Sequence, residues 1–188
     1  MALPLPIRRA ATYEHLKEVP AHLIAEIVDG ELYTSPRPAA PHARTSSRLG
    51  GALDGPFDRG RGGPGGWISL DEPELHIVGQ VLVPDLAGWR RTRMPQMPEV
   101  AAFELAPDWI CEVISPSTEA LDRSLKMPRY AEAGVEFAWL IDPLGRSLEV
   151  YQRREVSFRL VAQHRDSALI RAIPFDAVEI ELGALWER

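Results

Sequence analysis

Trp109-Ile110-Cys111-Glu112-Val113-Ile114-Ser115-Pro116-Ser117-Thr118 is the stretch from which the rest of the chain is read. Apolar residues fill its first six positions except for Glu112, the pattern of a central strand buried on both faces. Ser115 to Thr118 breaks that strand and supplies side-chain oxygens to cap the next element. A helical segment is predicted from Glu119 to about Ala133, stopped at Gly134, with Pro128 inside it. Pro128 either kinks this helix or opens a second one, with Asp122 to Lys126 as the turn before it. A buried strand that feeds a helix, with strand candidates on either side, predicts an α/β fold.

Upstream, Ile24 to Tyr33 carries two short apolar runs around Asp29-Gly30, a strong hairpin signal because a type I′ turn needs positive φ at both central residues. That turn sets Val28 opposite Glu31 and Glu26 opposite Tyr33, so Glu26 shares a sheet face with Val28, an odd place for a carboxylate without a purpose. A short helix capped by Thr12 is predicted before the hairpin, to about residue 19. A loop is expected from Pro36 to Pro41, then a helix from His42 to Leu53. Gly55 to Gly66 reads as a flexible surface loop and Arg90 to Glu99 as a second polar loop. Trp67 to Leu70, Glu74 to Val78 and Val81 to Trp89 are strand candidates, as are Glu136 to Ile141, Ser147 to Arg153 and Ser157 to His164. The tail from Ile173 to Leu185 predicts one last strand and a short helix. The expected whole is a mixed β-sheet flanked by helices, with an N-terminal hairpin, in a single domain over residues 1–188.

Composition narrows the function. The net charge of −6 speaks against a protein that coats nucleic acid by bulk attraction, and leaves room for an enzyme that meets it through a local basic rim. The lone cysteine, Cys111, excludes an intramolecular disulfide and a cysteine-based zinc site, and its apolar neighbours predict a buried, inert thiol. No apolar stretch is long enough to span a membrane and the first residues lack a signal-peptide pattern, so a cytoplasmic location is the default expectation.

Two strands place acids where apolar residues are expected: Asp85 after Val83-Pro84, and Glu112 in its apolar run. A carboxylate there is costly to desolvate unless paired or metal-bound. Pro84 cannot donate to a ladder, so the chain leaves regular pairing beside Asp85 and opens toward a cleft. Two acids on neighbouring strands make a hard-oxygen site suited to Mg²⁺ or Mn²⁺, and Lys126 would add a positive charge beside it for an in-line displacement at phosphorus. The structural alternative has Asp85 capping a turn, Glu112 paired with Lys126 or an arginine, and Asp122 and Lys126 forming a surface pair on a helix. His42 is a candidate for phosphate contact or proton transfer, and Arg59, Arg61, Arg90, Arg91 and Arg93 for phosphate contacts from two loops. The other histidines, His15, His22, His76 and His164, show no metal-ligand spacing and are expected at the surface. Ser115 and Ser117 lack a nucleophile elbow, and Tyr130 and Trp139 suit core packing.

In order along the chain stand Ala25-Glu26-Ile27-Val28-Asp29-Gly30-Glu31-Leu32, His42, Val83-Pro84-Asp85, Glu112-Val113-Ile114-Ser115-Pro116-Ser117-Thr118, Asp122 to Lys126, Tyr130, Gly134-Val135 and Trp139-Leu140-Ile141-Asp142-Pro143. This set resembles the Uma-type restriction-endonuclease family of the PD-(D/E)XK nuclease superfamily. The resemblance implies a restriction-endonuclease-like core and a Mg²⁺- or Mn²⁺-dependent endonuclease acting on DNA. It makes Asp85 and Glu112 metal ligands, joined by the backbone carbonyl of Val113, with Glu26 assisting a metal or its water. One departure stands out: the superfamily lysine belongs two residues after the glutamate, where this chain has Ile114, so Lys126 would replace it from the following helical segment. A homodimer is implied by the same analogy. Two further readings stand beside it: a degenerate member kept as a binding or dimerising module, and a metal-dependent phosphoesterase for a small substrate.

Overall fold

A computed structural model describes residues 10–187. The first helix, α1 (Tyr13–Lys17), leads into the hairpin of β1 (Leu23–Val28) and β2 (Glu31–Pro36). Its register is the predicted one, with Val28 opposite Glu31 and Glu26 opposite Tyr33, and Asp29 and Gly30 take the positive φ values, 54° and 76°, that the turn demands. The next helix, α2 (Ala40–Leu53), starts two residues earlier than expected because Pro41 fits a first helical turn, where no N–H is needed. The segment predicted as a flexible loop is ordered at its start: Asp54–Asp58 continues α2 as a π turn and buries Phe57.

The strands β3 (Trp67–Asp71), β4 (Leu75–Ile77), β5 (Gln80–Leu82), β6 (Leu86–Arg90) and β7 (Trp109–Val113) come next. The run predicted as one strand from Val81 to Trp89 is thus two. β5 joins a four-stranded sheet of order β2-β1-β5-β4, and β6 joins a six-stranded sheet next to β7. Val83-Pro84-Asp85 is the crossing between the sheets, since Pro84 has no N–H with which to continue either ladder.

After β7 come α3 (Glu119–Leu121), a π turn over Asp122–Lys126, and α4 (Met127–Glu132), which has Pro128 in its first turn. The widened turn falls just before the proline, so of the two readings of Pro128 the structure takes the second, with Asp122–Lys126 preceding the helix that Pro128 helps to open. The remaining elements are β8 (Phe137–Asp142), β9 (Ser147–Arg154), β10 (Ser157–Arg165), β11 (Leu169–Ile170), β12 (Ile180–Glu181) and α5 (Gly183–Trp186). The tail forms a two-stranded sheet of β11 and β12 where a single strand was expected. The large sheet runs β10-β9-β8-β7-β6-β3, with β7 and β8 parallel and the other pairs antiparallel, which makes it the mixed sheet of the prediction.

Side-chain alternation along β7 distributes the core over both faces of this sheet. Trp109, Cys111 and Val113 pack with Leu49, Leu53 and Phe175 on one face, while Ile110 and Ile114 pack with Met127 and Tyr130 on the other. Glu112 has the parity of Ile110, so it points toward the π turn and α4. Cys111 is buried, as expected, and burial pushes its thiol well above the ordinary value. No helix among the described residues is long and apolar enough to cross a membrane.

Phe175 lies against Phe57, Trp67, Trp109 and Trp139, with ring centroids 4.8–5.6 Å apart. Phe175→Ala is therefore expected to cost about 3–5 kcal/mol. Urea unfolding followed by tryptophan fluorescence checks this; a loss below about 1 kcal/mol would mean that the tail is not part of the core.

Candidate active site

Three separated segments bring charge to one point beside the sheet crossing. Glu26 comes from β1, Glu112 from β7, and Asp122 and Lys126 from the two ends of the π turn. Lys126 Nζ lies 2.8 Å from Glu26 Oε1, 2.9 Å from Glu112 Oε1 and 3.5 Å from Asp122 Oδ1. It also donates to the carbonyl of Val83 at 3.2 Å. Glu26 Oε1 accepts the Val83 N–H at 2.7 Å, and Glu112 Oε1 accepts the Tyr130 hydroxyl at 2.6 Å. The side chains of Lys126, Glu26 and Glu112 are 3%, 6% and 2% exposed, so the group is desolvated rather than a surface pair.

Asp85 stands at the edge of this cluster. Leu86 pairs with Cys111 across β6 and β7, which places Asp85 one register step on, beside Glu112. Its Oδ2 accepts the Val113 N–H at 2.7 Å and its Oδ1 lies 3.3 Å from His42 Nε2. Asp85 thus bonds to the end of β7 instead of capping a turn. Nδ1 of His42 is buried without a hydrogen-bond partner.

The electrostatics come from burial and crowding. Burial pushes the Glu112 carboxyl well above the usual carboxylate range, with Lys126 opposing the shift and Asp122, Asp85 and Glu26 adding to it. For Lys126, burial alone would lower the ammonium, but Glu112 and Glu26 outweigh it and hold it well above the ordinary lysine value. Burial raises Asp122 against the pull of Lys126, and burial followed by Glu112 raises the Tyr130 hydroxyl. At His42 burial disfavours the charged ring, yet the hydrogen bond to Asp85 leaves it raised.

A cleft of about 300 Å³ opens onto these groups, lined by Glu26, His42, Asp85, Glu112, Asp122 and Lys126 among others. It adjoins a second lobe of about 430 Å³ that shares Pro38, His42 and Asp85 and runs along α2. All four residues predicted as catalytic, Asp85, Glu112, Lys126 and Glu26, line the cleft, with His42 beside them and Val113 on the same strand end. Arg90 and Arg91 do not. They lie at the far end of β6 from Asp85, roughly 17 Å along the strand at about 3.3 Å per residue. Arg90 faces Asp108 and Glu136, Arg91 binds Asp58, and Arg93 binds Asp108.

Three participants lie beyond the reach of the sequence reading. Tyr130 is buried, as core packing requires, but its hydroxyl also serves Glu112; its place four residues after Lys126 is the available signal. Asp122, expected as half of a surface pair, is 3% exposed. Arg37 also lines the cleft, where it pairs with Glu72 at 3.1 Å.

The chain is thus a mixed α/β sheet with a carboxylate–lysine cluster facing a cleft. Residues 10–181 match the Uma2 family, described as "Putative restriction endonuclease", and the chain belongs to that family. A crystal structure of a putative nuclease belonging to DUF820 from Anabaena variabilis shares the fold: its TM-score is 0.75, with 93% of this chain and 96% of that chain covered at 21% identity. No curated protein matches the chain.

Breaking the buried cluster leaves carboxylates unpaired, so Lys126→Met is expected to cost about 3–5 kcal/mol. Adding Glu112→Gln should return part of that loss, because the second change neutralises one of the carboxylates left behind. Urea denaturation of the four proteins of the cycle reads the coupling; simple additivity would show that the two groups do not share their charge.

Proposed function

We propose that the cleft hydrolyses phosphodiester bonds of DNA, with a divalent cation, Mg²⁺ or Mn²⁺, held by Asp85 and Glu112. Membership of a restriction-endonuclease family supports this reading. The observation that carries the residue roles is the reach of Lys126. Though the superfamily position two after the glutamate is Ile114, the π turn delivers an ammonium to within 2.9 Å of Glu112. A buried ion group barely offsets its desolvation and a wholly apolar replacement of all its members would cost little, so its presence on a cleft points to a functional role.

The donor set suits a hard cation. Glu26, Asp85, Glu112 and Asp122 face one ammonium and one imidazole, and the cleft's Arg37 is paired with Glu72, so the cleft is short of positive charge. No three His, Cys, Asp or Glu side chains among the described residues form a ready-made metal group. Two carboxylates, completed by the Val113 carbonyl, water and a substrate phosphate, match the way Mg²⁺ is commonly held. Such a cation, once bound, acidifies its water and neutralises phosphate oxygen.

The chain's own groups do the positioning. The Val113 N–H and His42 Nε2 fix both oxygens of Asp85. Lys126 distributes its three N–H donors over Glu26, Glu112 and the Val83 carbonyl, and in this arrangement it orients the two carboxylates. To donate to an attacking water or a phosphate oxygen it exchanges one of those bonds. Glu26, tied to the Val83 N–H, holds the crossing segment that carries Asp85.

Calorimetric titration of Mg²⁺ and Mn²⁺, with cleavage of plasmid and single-stranded DNA on the same samples, tests this. Asp85→Asn and Glu112→Gln are each expected to abolish metal binding and to lower cleavage by at least about 100-fold while circular dichroism spectra stay unchanged. Metal binding without cleavage of either DNA would overturn the DNA assignment and point to another phosphate substrate. Cleavage unaffected by both substitutions would overturn the site itself.

A further inference from the structure

A separate cavity of about 310 Å³ lies on the other flank of α2, between its first turns, the turn after β8 and the segment of α5. We propose that this cavity binds a nucleoside phosphate unit, with Trp186 stacking on the base and Arg44 and Arg146 holding the phosphate. Taken as a unit of the DNA strand, the ligand rests on the nuclease reading above. The volume lies at the lower end of the range for small-molecule sites.

The lining combines two chemistries. Pro143, Leu144 and Trp186 supply apolar lining, with Leu144 exposed and Trp186 partly buried against the core. Arg44 and Arg146 supply its cations. Arg44 uses its Nε on the main-chain carbonyl of Glu187, at 2.7 Å, and among the described residues neither arginine has a carboxylate within ion-pair distance. This sets them apart from Arg90, Arg91 and Arg93 at the far rim of the sheet, all of which are spent on carboxylates. The acid that does line the cavity, Glu187, is drawn to Arg48 at 3.6 Å. Arginine beside an aromatic plane is a pairing suited to phosphate and base together.

Placement ties the cavity to the catalytic cleft. β7 and β8 are parallel, so the turn that carries Arg146 leaves the sheet on the same rim as Glu112. α2 stands between: His42 faces the cleft, and Arg44, two residues on and so about 200° round the helix, faces the cavity. A strand laid over the first turns of α2 crosses a helix about 10–12 Å wide and meets both sites.

Tryptophan fluorescence reads this cavity selectively, because Trp67, Trp89, Trp109 and Trp139 are buried and Trp186 is the one that lines it. The full chain is titrated in EDTA with a short 5′-phosphorylated single-stranded oligonucleotide and, separately, with thymidine 5′-monophosphate. The expected result is quenching by the oligonucleotide, lost in Trp186→Phe. The Arg44→Gln/Arg146→Gln double variant should bind at least about 10-fold more weakly, with a salt slope shallower by about 1–2. Affinity for the monophosphate close to that for the oligonucleotide would assign the site to a free nucleotide and overturn its role in holding a strand. Oligonucleotide binding unchanged in the double variant overturns the proposal, whether or not wild type cleaves DNA. Binding weakened in the double variant, with no cleavage by wild type under Mg²⁺ or Mn²⁺, upholds the cavity and overturns the nuclease reading.

Discussion

One buried ammonium organises this molecule. Lys126 Nζ touches β1 through Glu26, the sheet crossing through the Val83 carbonyl, β7 through Glu112 and its own π turn through Asp122. No local element needs such a group, and taking the charges out of water is expensive. Each contact also joins parts of the fold: Glu26 ties the small sheet to the crossing strand, and the crossing sets Asp85 beside β7. The helical segment that supplies the lysine is fastened independently, since Arg123 forks onto Glu149 of β9 at 2.7 and 3.0 Å. A charge held this firmly from several directions has a fixed position, which is what a site needs when developing charge is to be met without reorganisation.

The π turn is the device that makes the cluster fit. Lys126 lies at the end of a wide turn whose extra residue accommodates Pro128 immediately after it, so the backbone feature that tolerates the proline also aims the lysine inward. Asp122, Lys126 and Tyr130 succeed one another along a single stripe, and all three reach the same pair of glutamates or each other. With Ile114 in the apolar layer beside Met127 and Tyr130, the strand position two beyond Glu112 is occupied by packing, and the lysine arrives from the adjoining helical layer.

What could be read from the sequence divides along physical lines. The hairpin register was legible because Asp29-Gly30 fixes the turn and alternation fixes the faces. Glu112 and Asp85 were legible as costly carboxylates on apolar strands, and Pro84 marked the break beside Asp85. Which sheet each half of Val81 to Trp89 joins was not legible, because strand pattern reports a face and not a partner. Phe57 was hidden in a Gly- and Pro-rich context that reads as loop, although its burial against Phe175 depends on a residue more than a hundred positions away. The arginines after β6 mislead for a related reason: composition shows charge, but only the fold shows that Asp58, Asp108 and Glu136 have already claimed it.

The same distribution of partners bears on how an acidic protein meets an anionic substrate. The cleft carries more carboxylates than cations, so by itself it disfavours an anion such as phosphate. The cations that draw a strand in must then lie outside the floor and be free of acids. Lys126 is saturated by three acceptors and Arg37 in the cleft lining is engaged by Glu72. Arg44 and Arg146, on the same rim and across α2, carry no such partner among the described residues. The separation is physically sensible: cations free to hold the backbone sit about a helix diameter from the acids that would otherwise neutralise them.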